Sequence, residues 1–178
     1  MKLALLILLF SSLNAGGHGG TSFPTSEEAI KDLFPGATLR LDYITLSSSE
    51  QKRASDLAGT PVSSQNKLWR VVGEEGELLG FALIDTHRVR NKRESLLISW
   101  TEDGRALSPR VLGFAEPLQY LPRAKWYGQF EGKALKDSLR LRGDIDGISG
   151  ATLSARATVR AVRRGLAIDE VLSARSSK

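Results

Sequence analysis

Near the C-terminal end of the chain, Asp146-Gly147-Ile148-Ser149-Gly150-Ala151-Thr152 runs directly into Leu153-Ser154-Ala155-Arg156-Ala157-Thr158-Val159-Arg160-Ala161-Val162-Arg163-Arg164. The second stretch has a helical period. Ala155, Val159, Val162 and Leu166 recur at spacings of four, three and four, which at about 100° per residue places them on one narrow stripe. A helix with such a stripe has to lay it on an apolar surface, so the rest of the chain must supply one. Arg156, Arg160, Arg163 and Arg164 fall on the adjoining flank. Two glycines and two small hydroxyl residues precede the helix, where free backbone N–H groups and the positive end of the dipole lie. Such a junction suits a phosphate or another anion. It serves equally as a plain helix cap. From these residues alone both readings stand.

The apolar surface is legible upstream. Thr25 or Ser26 can cap a first helix, with Glu27 and Glu28 in its first turn and Pro35-Gly36 as its stop. Thr38 to Leu46 alternates as a strand. Ser47-Ser48-Ser49-Glu50 opens a second helix through Leu57, ended by Gly59 and Pro61. Beyond it the period shortens. Lys67–Val72, Leu78–Thr86, Glu94–Thr101 and Ala106–Phe114 read as strands, with turns at Gly73–Glu77 and Glu102–Arg105 and a basic loop at Arg88–Arg93. Pro109 marks the last of them as an edge or a bulge. Short strands on tight turns with helices at both ends predict an α+β fold: an antiparallel sheet flanked by helices, with an N-terminal helical lead-in and a C-terminal helix after the Ser-Gly-Ala-Thr loop.

At 178 residues the chain is long enough to bury a core of its own. It has no cysteine, which excludes disulfides, iron–sulfur clusters, thioether-bound haem and cysteine zinc sites together. Its two histidines, His18 and His87, are far apart, which argues against a histidine-built metal site; His87, at a strand end, reads as a surface residue. Any redox chemistry therefore falls to an organic cofactor. The net charge of +5 is interleaved rather than blocked, except on the last helix. That helix lacks interleaved aromatics, which argues against nucleic acid. Ser149 and Ser154 have neither a histidine–acid partner nor the Gly-x-Ser-x-Gly elbow, which argues against a hydrolase.

At the other end, Met1-Lys2 precedes the apolar run Leu3–Phe10 and the small-residue stretch to Ala15. This has the form of a secretory signal peptide cut after Ala15, and the apolar run is too short to cross a bilayer core of about 30 Å as a helix. Gly16-Gly17-His18-Gly19-Gly20 would then be a flexible new N-terminus.

Between the strands and the glycine loop lies Phe114-Ala115-Glu116-Pro117-Leu118-Gln119-Tyr120-Leu121-Pro122, then Trp126-Tyr127-Gly128-Gln129-Phe130-Glu131-Gly132-Lys133. Its aromatics suit either a plug at the end of the sheet or packing against a planar ring.

Asp146-Gly-Ile-Ser-Gly-Ala-Thr152 resembles the flavinylation motif Asp-x-x-(Ser/Thr)-Gly-Ala-(Thr/Ser) of the FMN-binding domain family, which includes the extracytoplasmic flavin subunits of the Rnf and sodium-translocating NADH:quinone reductase complexes. Glu116-Pro117 followed by Gln129-Phe-x-Gly-Lys133 is similar to the family's segment before that loop, although many members carry Glu-Thr-Pro where this chain has Ala115-Glu116-Pro117. The likeness covers roughly residues 68–170; with the signal read above, the chain divides into a signal peptide (1–15), a flexible N-terminus (16–24), a helical lead-in (25–65), an FMN-binding domain (66–172) and a tail (173–178).

The resemblance also implies a function. A separate flavin transferase would move FMN from FAD onto Thr152 and leave a phosphoester bond. Asp146, Gly147, Ser149, Gly150, Ala151 and Leu153 would form the loop around it. Arg156, one turn on, would reach the phosphate, while Glu116, Pro117 and Trp126 would lie toward the ring. The chain would then be an exported electron-transfer flavoprotein, in the bacterial periplasm or on the outer face of the cytoplasmic membrane. It would serve a redox partner such as a cytochrome or a membrane quinone reductase and need no catalytic residue of its own. The alternative is a module of the same fold that holds FMN non-covalently, or acts in sensing or structure alone.

Overall fold

A computed structural model describes residues 22–176. The expected signal peptide and most of the expected flexible N-terminus, with His18, lie outside the described residues.

Helix α1 (Ser26–Leu33) and helix α2 (Ser48–Ala58) flank strand β1 (Thr38–Thr45). Both helices start on a complete capping box: Thr25 with Glu28, and Ser47 with Glu50. Four further strands follow, β2 (Gln65–Val72), β3 (Leu78–Arg88), β4 (Arg93–Thr101) and β5 (Arg110–Phe114). The short helix α3 (Ala124–Tyr127) sits between two single turns of 3₁₀ helix, and the long helix α4 (Thr152–Ser176) is the last element among the described residues. The sheet is an antiparallel meander in the order β1-β2-β3-β4-β5, so the fold is α+β as the pattern predicted.

The lead-in is part of this sheet. β1 pairs with β2 along its whole length, from Thr38 opposite Val72 to Thr45 opposite Gln65. Helix α4 in turn runs into the stretch expected to be tail. The strand expected over Ala106–Phe114 begins only at Arg110. Ala106 makes a single bridge to Trp100, the Ser108 amide donates to Glu131 Oε2 at 2.7 Å, and Pro109 has no amide to give. Only the Leu107 amide still reaches β4, at the Ser99 carbonyl (2.8 Å), while the Ala106 amide turns to Lys133, so the chain detours before rejoining the edge of the sheet as β5.

Both faces of the central strands are covered, which hides their period of two. Leu96, Ile98 and Trp100 turn toward α4, joined by Leu68 and Leu83, while Leu97 turns toward α1 with Val71 and Ala82. The α4 stripe lands where the pattern required it: Ala155, Val159, Val162 and Leu166 are all buried. Helix and sheet approach closely at Gly165, where a Cβ would stand 2.8 Å from Ile98 Cγ2 and 3.2 Å from Trp100 Cζ3.

The four arginines grouped on one flank divide into three tasks. Arg163 donates to the carbonyls of Ala58 and Leu57, both at 2.8 Å, and so closes the C-terminal end of α2. Arg164 forks onto Asp85, with both bonds at 2.6 Å. Arg156 and Arg160 stay exposed. Farther along, Arg175 forks onto Glu50 at 2.9 and 2.7 Å, tying the end of α4 to the start of α2.

His87 is not a surface residue. Its Nδ1 lies 2.8 Å from Asp85 Oδ1 and its Nε2 lies 2.9 Å from Glu94 Oε2, with Glu94 fully buried. The reason is register: His87 stands opposite Glu94 across β3 and β4, on the face that α4 covers. Burial opposes the imidazolium charge, but hydrogen bonds and the charges of Asp85 and Glu94 prevail and raise its pKa to about 9. For Asp85 burial is again outweighed, here by His87 and Arg164, and its pKa falls to about 2.

Two predictions follow from this packing. Gly165→Ala gains helix propensity but overpacks against Ile98 and Trp100, so urea unfolding should show a net loss of about 1–2 kcal/mol. His87 binds its proton more tightly folded than unfolded, so its stabilisation is complete below its ordinary pKa of 6.5 and is lost as pH rises through about 9. Unfolding free energy should fall over that window by on the order of 2–3 kcal/mol. A His87 imidazole NMR signal titrating near 6.5 would contradict the assignment.

Candidate functional site

The loop ahead of α4 is built on Asp146, whose backbone is gripped from both sides. Trp126 Nε1 donates to the Asp146 carbonyl at 2.8 Å, and the Asp146 amide donates to Gln129 Oε1 at 2.8 Å. Trp126 is itself wedged edge-on between Tyr127 and Phe130, with ring centroids 5.3 and 5.4 Å away. The aromatic segment thus acts as a plug in the core, and from there it anchors the loop. Beyond Asp146 the chain turns at Gly150, whose φ of +82° is costly for any residue with a Cβ. The Ala151 amide then reaches the Ile148 carbonyl at 3.2 Å and α4 begins.

How α4 begins sets it apart from α1 and α2. The position before Thr152 holds Ala151, whose methyl cannot accept a hydrogen bond, and its carbonyl takes the Ala155 amide at 3.0 Å. A helix of 25 residues therefore presents its positive end without a side-chain cap. Thr152 is the first helical residue and is exposed, its Oγ1 donating to the Ile148 carbonyl at 3.2 Å. An anion carried on Thr152 would sit at that open end.

Two cavities meet at Thr152. The larger, about 1060 Å³, is bounded by Gly147, Ile148, Ser149 and Gly150 on one side and by Arg156, Val159 and Arg160 of α4 on another. The smaller, about 240 Å³, is formed by Val89, Arg90, Glu116, Tyr120, Leu153 and Ser154 together with the Gly150–Thr152 backbone. Ligand sites commonly span about 300–1,000 Å³, so the pair together has room for a mononucleotide with a three-ring head. In the smaller cavity the Arg90 guanidinium lies 4.9 Å from the Tyr120 ring centroid. Ser154 Oγ holds the Tyr120 carbonyl at 2.6 Å, so helix and aromatic segment are fastened together there. An anion at the helix end, a planar group beside Tyr120 and a polar chain between them fit the residues present.

The expected site residues are partly assembled by this arrangement. Gly147, Ser149, Gly150, Ala151, Thr152, Leu153, Glu116 and Arg156 all border one cavity or the other. Glu116 faces its cavity while Oε1 accepts the amides of Asn91 and Lys92, both at 2.8 Å. Those two amides hold its pKa below the usual carboxylate range. Asp146, Pro117 and Trp126 border neither cavity. Pro117 precedes a 3₁₀ turn, and Trp126 acts on the site through the Asp146 backbone, directly by its indole N–H and indirectly by its carbonyl, which accepts from Gln129 Nε2 at 3.2 Å.

Arg90, Tyr120 and Arg142 were not singled out from sequence. The basic loop and the aromatic crowding were visible signals, but the fold alone brings them to Thr152.

Among the described residues no cluster of His, Cys, Asp and Glu could hold a metal ion, and no helix is long and apolar enough to cross a membrane.

Trp126→Phe keeps the ring and removes only the indole N–H. It should cost about 1 kcal/mol and speed hydrogen exchange across Asp146–Thr152. Unchanged exchange there would remove Trp126 from the support of the loop.

A family model described as FMN-binding domain matches residues 72–167. No curated protein and no solved structure matches the chain. The matched span runs from the end of β2 through the first two-thirds of α4 and includes the smaller cavity at Thr152 and all of the larger one except its Ala58–Gly59 border. With more than half its length matched and an uncapped helix end beside an exposed threonine, the chain belongs to the FMN-binding domain family, and FMN is its cofactor.

Proposed function

We propose that this protein is an exported electron-transfer flavoprotein whose FMN is joined to Thr152 by a phosphoester bond. The observation that carries the reading is the uncapped start of α4. Both other long helices complete their first turn with a serine or threonine and a glutamate, whereas α4 offers Ala151 and then an exposed threonine hydroxyl. A phosphoryl group on Thr152 Oγ would meet the first-turn amides and the positive dipole end, with Arg156 one turn away.

The bond itself is the work of a flavin transferase, which would exchange the AMP of FAD for Thr152 Oγ. This chain contributes the acceptor hydroxyl on a firmly held loop. An exposed, protruding acceptor suits an enzyme that must reach it. A covalent tether also suits an exported carrier, because the cofactor cannot be lost by dilution. Bound flavin supplies one- or two-electron chemistry. The chain's own residues position it, with Tyr120, Arg90 and Leu153 forming the smaller cavity. Electrons would pass to or from a redox partner such as a cytochrome or a membrane quinone reductase.

A second reading has one observation in its favour. Thr152 Oγ1 donates to the Ile148 carbonyl, so the hydroxyl also serves as a loop closure, as it would in a module that holds FMN non-covalently.

Intact mass and peptide mapping of protein produced with an active flavin transferase separate the two. The carrier reading expects a mass gain of one FMN less one water on the Thr152 peptide, and denaturant-resistant flavin that vanishes in Thr152→Ala. An unmodified chain that still co-purifies with yellow, dialysable flavin would establish the non-covalent module instead.

A further inference from the structure

Resting on the reading of Thr152 as the flavin tether, we propose that the arginine-lined side of the site is the docking surface for a redox protein that presents a cluster of carboxylates. Five arginines border the larger cavity: Arg140, Arg142, Arg156, Arg160 and Arg163. No aspartate or glutamate borders it. Two of the five are engaged elsewhere, Arg163 on the end of α2 and Arg140 on Ser138 Oγ at 3.1 Å. The side chains of Arg142, Arg156 and Arg160 are exposed and make no hydrogen bond or ion pair among the described residues.

The three unpaired cations come from two separate elements, which shows how the surface is built. Arg156 and Arg160 stand one turn apart on α4. Arg142 reaches the same cavity from the turn after the aromatic segment, in the left-handed region at φ +61°, which is uncommon for a residue with a side chain. The turn is held there by Arg142 N–H on the Ile145 carbonyl at 2.9 Å, by Ile145 N–H on the Arg140 carbonyl at 3.2 Å, and by Arg140 N–H on Asp144 Oδ1 at 3.1 Å.

The charge exceeds what the flavin needs. A phosphodiester at Thr152 carries one negative charge, and Arg156 is the arginine nearest to it in sequence. Arg142 and Arg160 remain. Arginines that recognise a small anion are typically forked onto it in a water-poor site. These stand in solvent, as charges do at the rim of a protein interface, where they steer encounter and fix orientation. An acidic face drawn onto them would lie beside Thr152, which borders the same cavity, and so next to the tethered cofactor.

The test compares the flavin-loaded full chain with its R142A/R160A variant by stopped flow, per mole of bound flavin. The probes are an acidic and a basic cytochrome c, each oxidising the reduced flavin at low and high ionic strength. Docking expects the acidic cytochrome to react faster at low salt and to slow as salt rises. In the double variant its rate should drop about tenfold or more, with recovery in R142K/R160K because charge is what counts. The basic cytochrome should show none of this. Equal rates for the two cytochromes, or an acidic-probe rate untouched by R142A/R160A, would overturn the proposal. So would saturable binding of inorganic pyrophosphate at Arg142 and Arg160 together with that untouched rate, which would mark a small-anion site. The flavin-free Thr152→Ala chain keeps the two readings apart. NMR shifts at Arg142 and Arg160 on adding acidic cytochrome would support the docking surface even if the tether were disproved by mass, and their absence would count against it.

Discussion

Burial of one stripe of α4 against the sheet determines where almost everything else can go. Ala155, Val159, Val162 and Leu166 need a floor, and Leu68, Leu83, Leu96, Ile98 and Trp100 provide it. Gly165 lets the two surfaces close to a distance that no Cβ would tolerate. Once helix and sheet are in register, Arg164 meets Asp85, Arg163 meets the end of α2 and Arg175 meets Glu50. The first turn of α4 then buries Ser154 and Ala155 and leaves Thr152 exposed to solvent between two cavities.

The polar groups under α4 follow the same logic of paired burial. Asp85, His87, Glu94 and Arg164 are two acids and two bases in one chain of contacts at 2.6 to 2.9 Å. Each would be costly alone in a core, and together they neutralise one another. They also specify register: sliding β3 one residue past β4 would turn His87 to the opposite face and leave Glu94 buried without it.

Much of this was legible in the sequence because it is local. The helix caps, the α4 stripe, the glycine turns and most of the strands are all written within a few residues of where they act. The loop motif was legible for the same reason, and its family membership followed. What escaped sequence reading depends on distance along the chain. His87 looks like a surface residue until Glu94 is placed opposite it and Arg164 above. Trp126 looks like a ring contact until Asp146 is found at its indole nitrogen. The four arginines form one flank on a helical wheel and serve different ends in space, because α2, β3 and solvent surround α4 on different sides. Pro109 signalled an irregularity, but only Glu131, taking the Ser108 amide, accounts for its extent.

The meander has a consequence for the order of assembly. Each strand pairs with its neighbour in sequence, so the sheet can form hairpin by hairpin as the chain lengthens. The face under α4 stays open until that 25-residue helix is available. Completing the core and creating the cofactor platform are therefore one event, governed by the arrival of α4. A chain halted before residue 152 would have a sheet with one bare apolar face and no acceptor hydroxyl, a species for chaperones or proteases rather than a partly working protein.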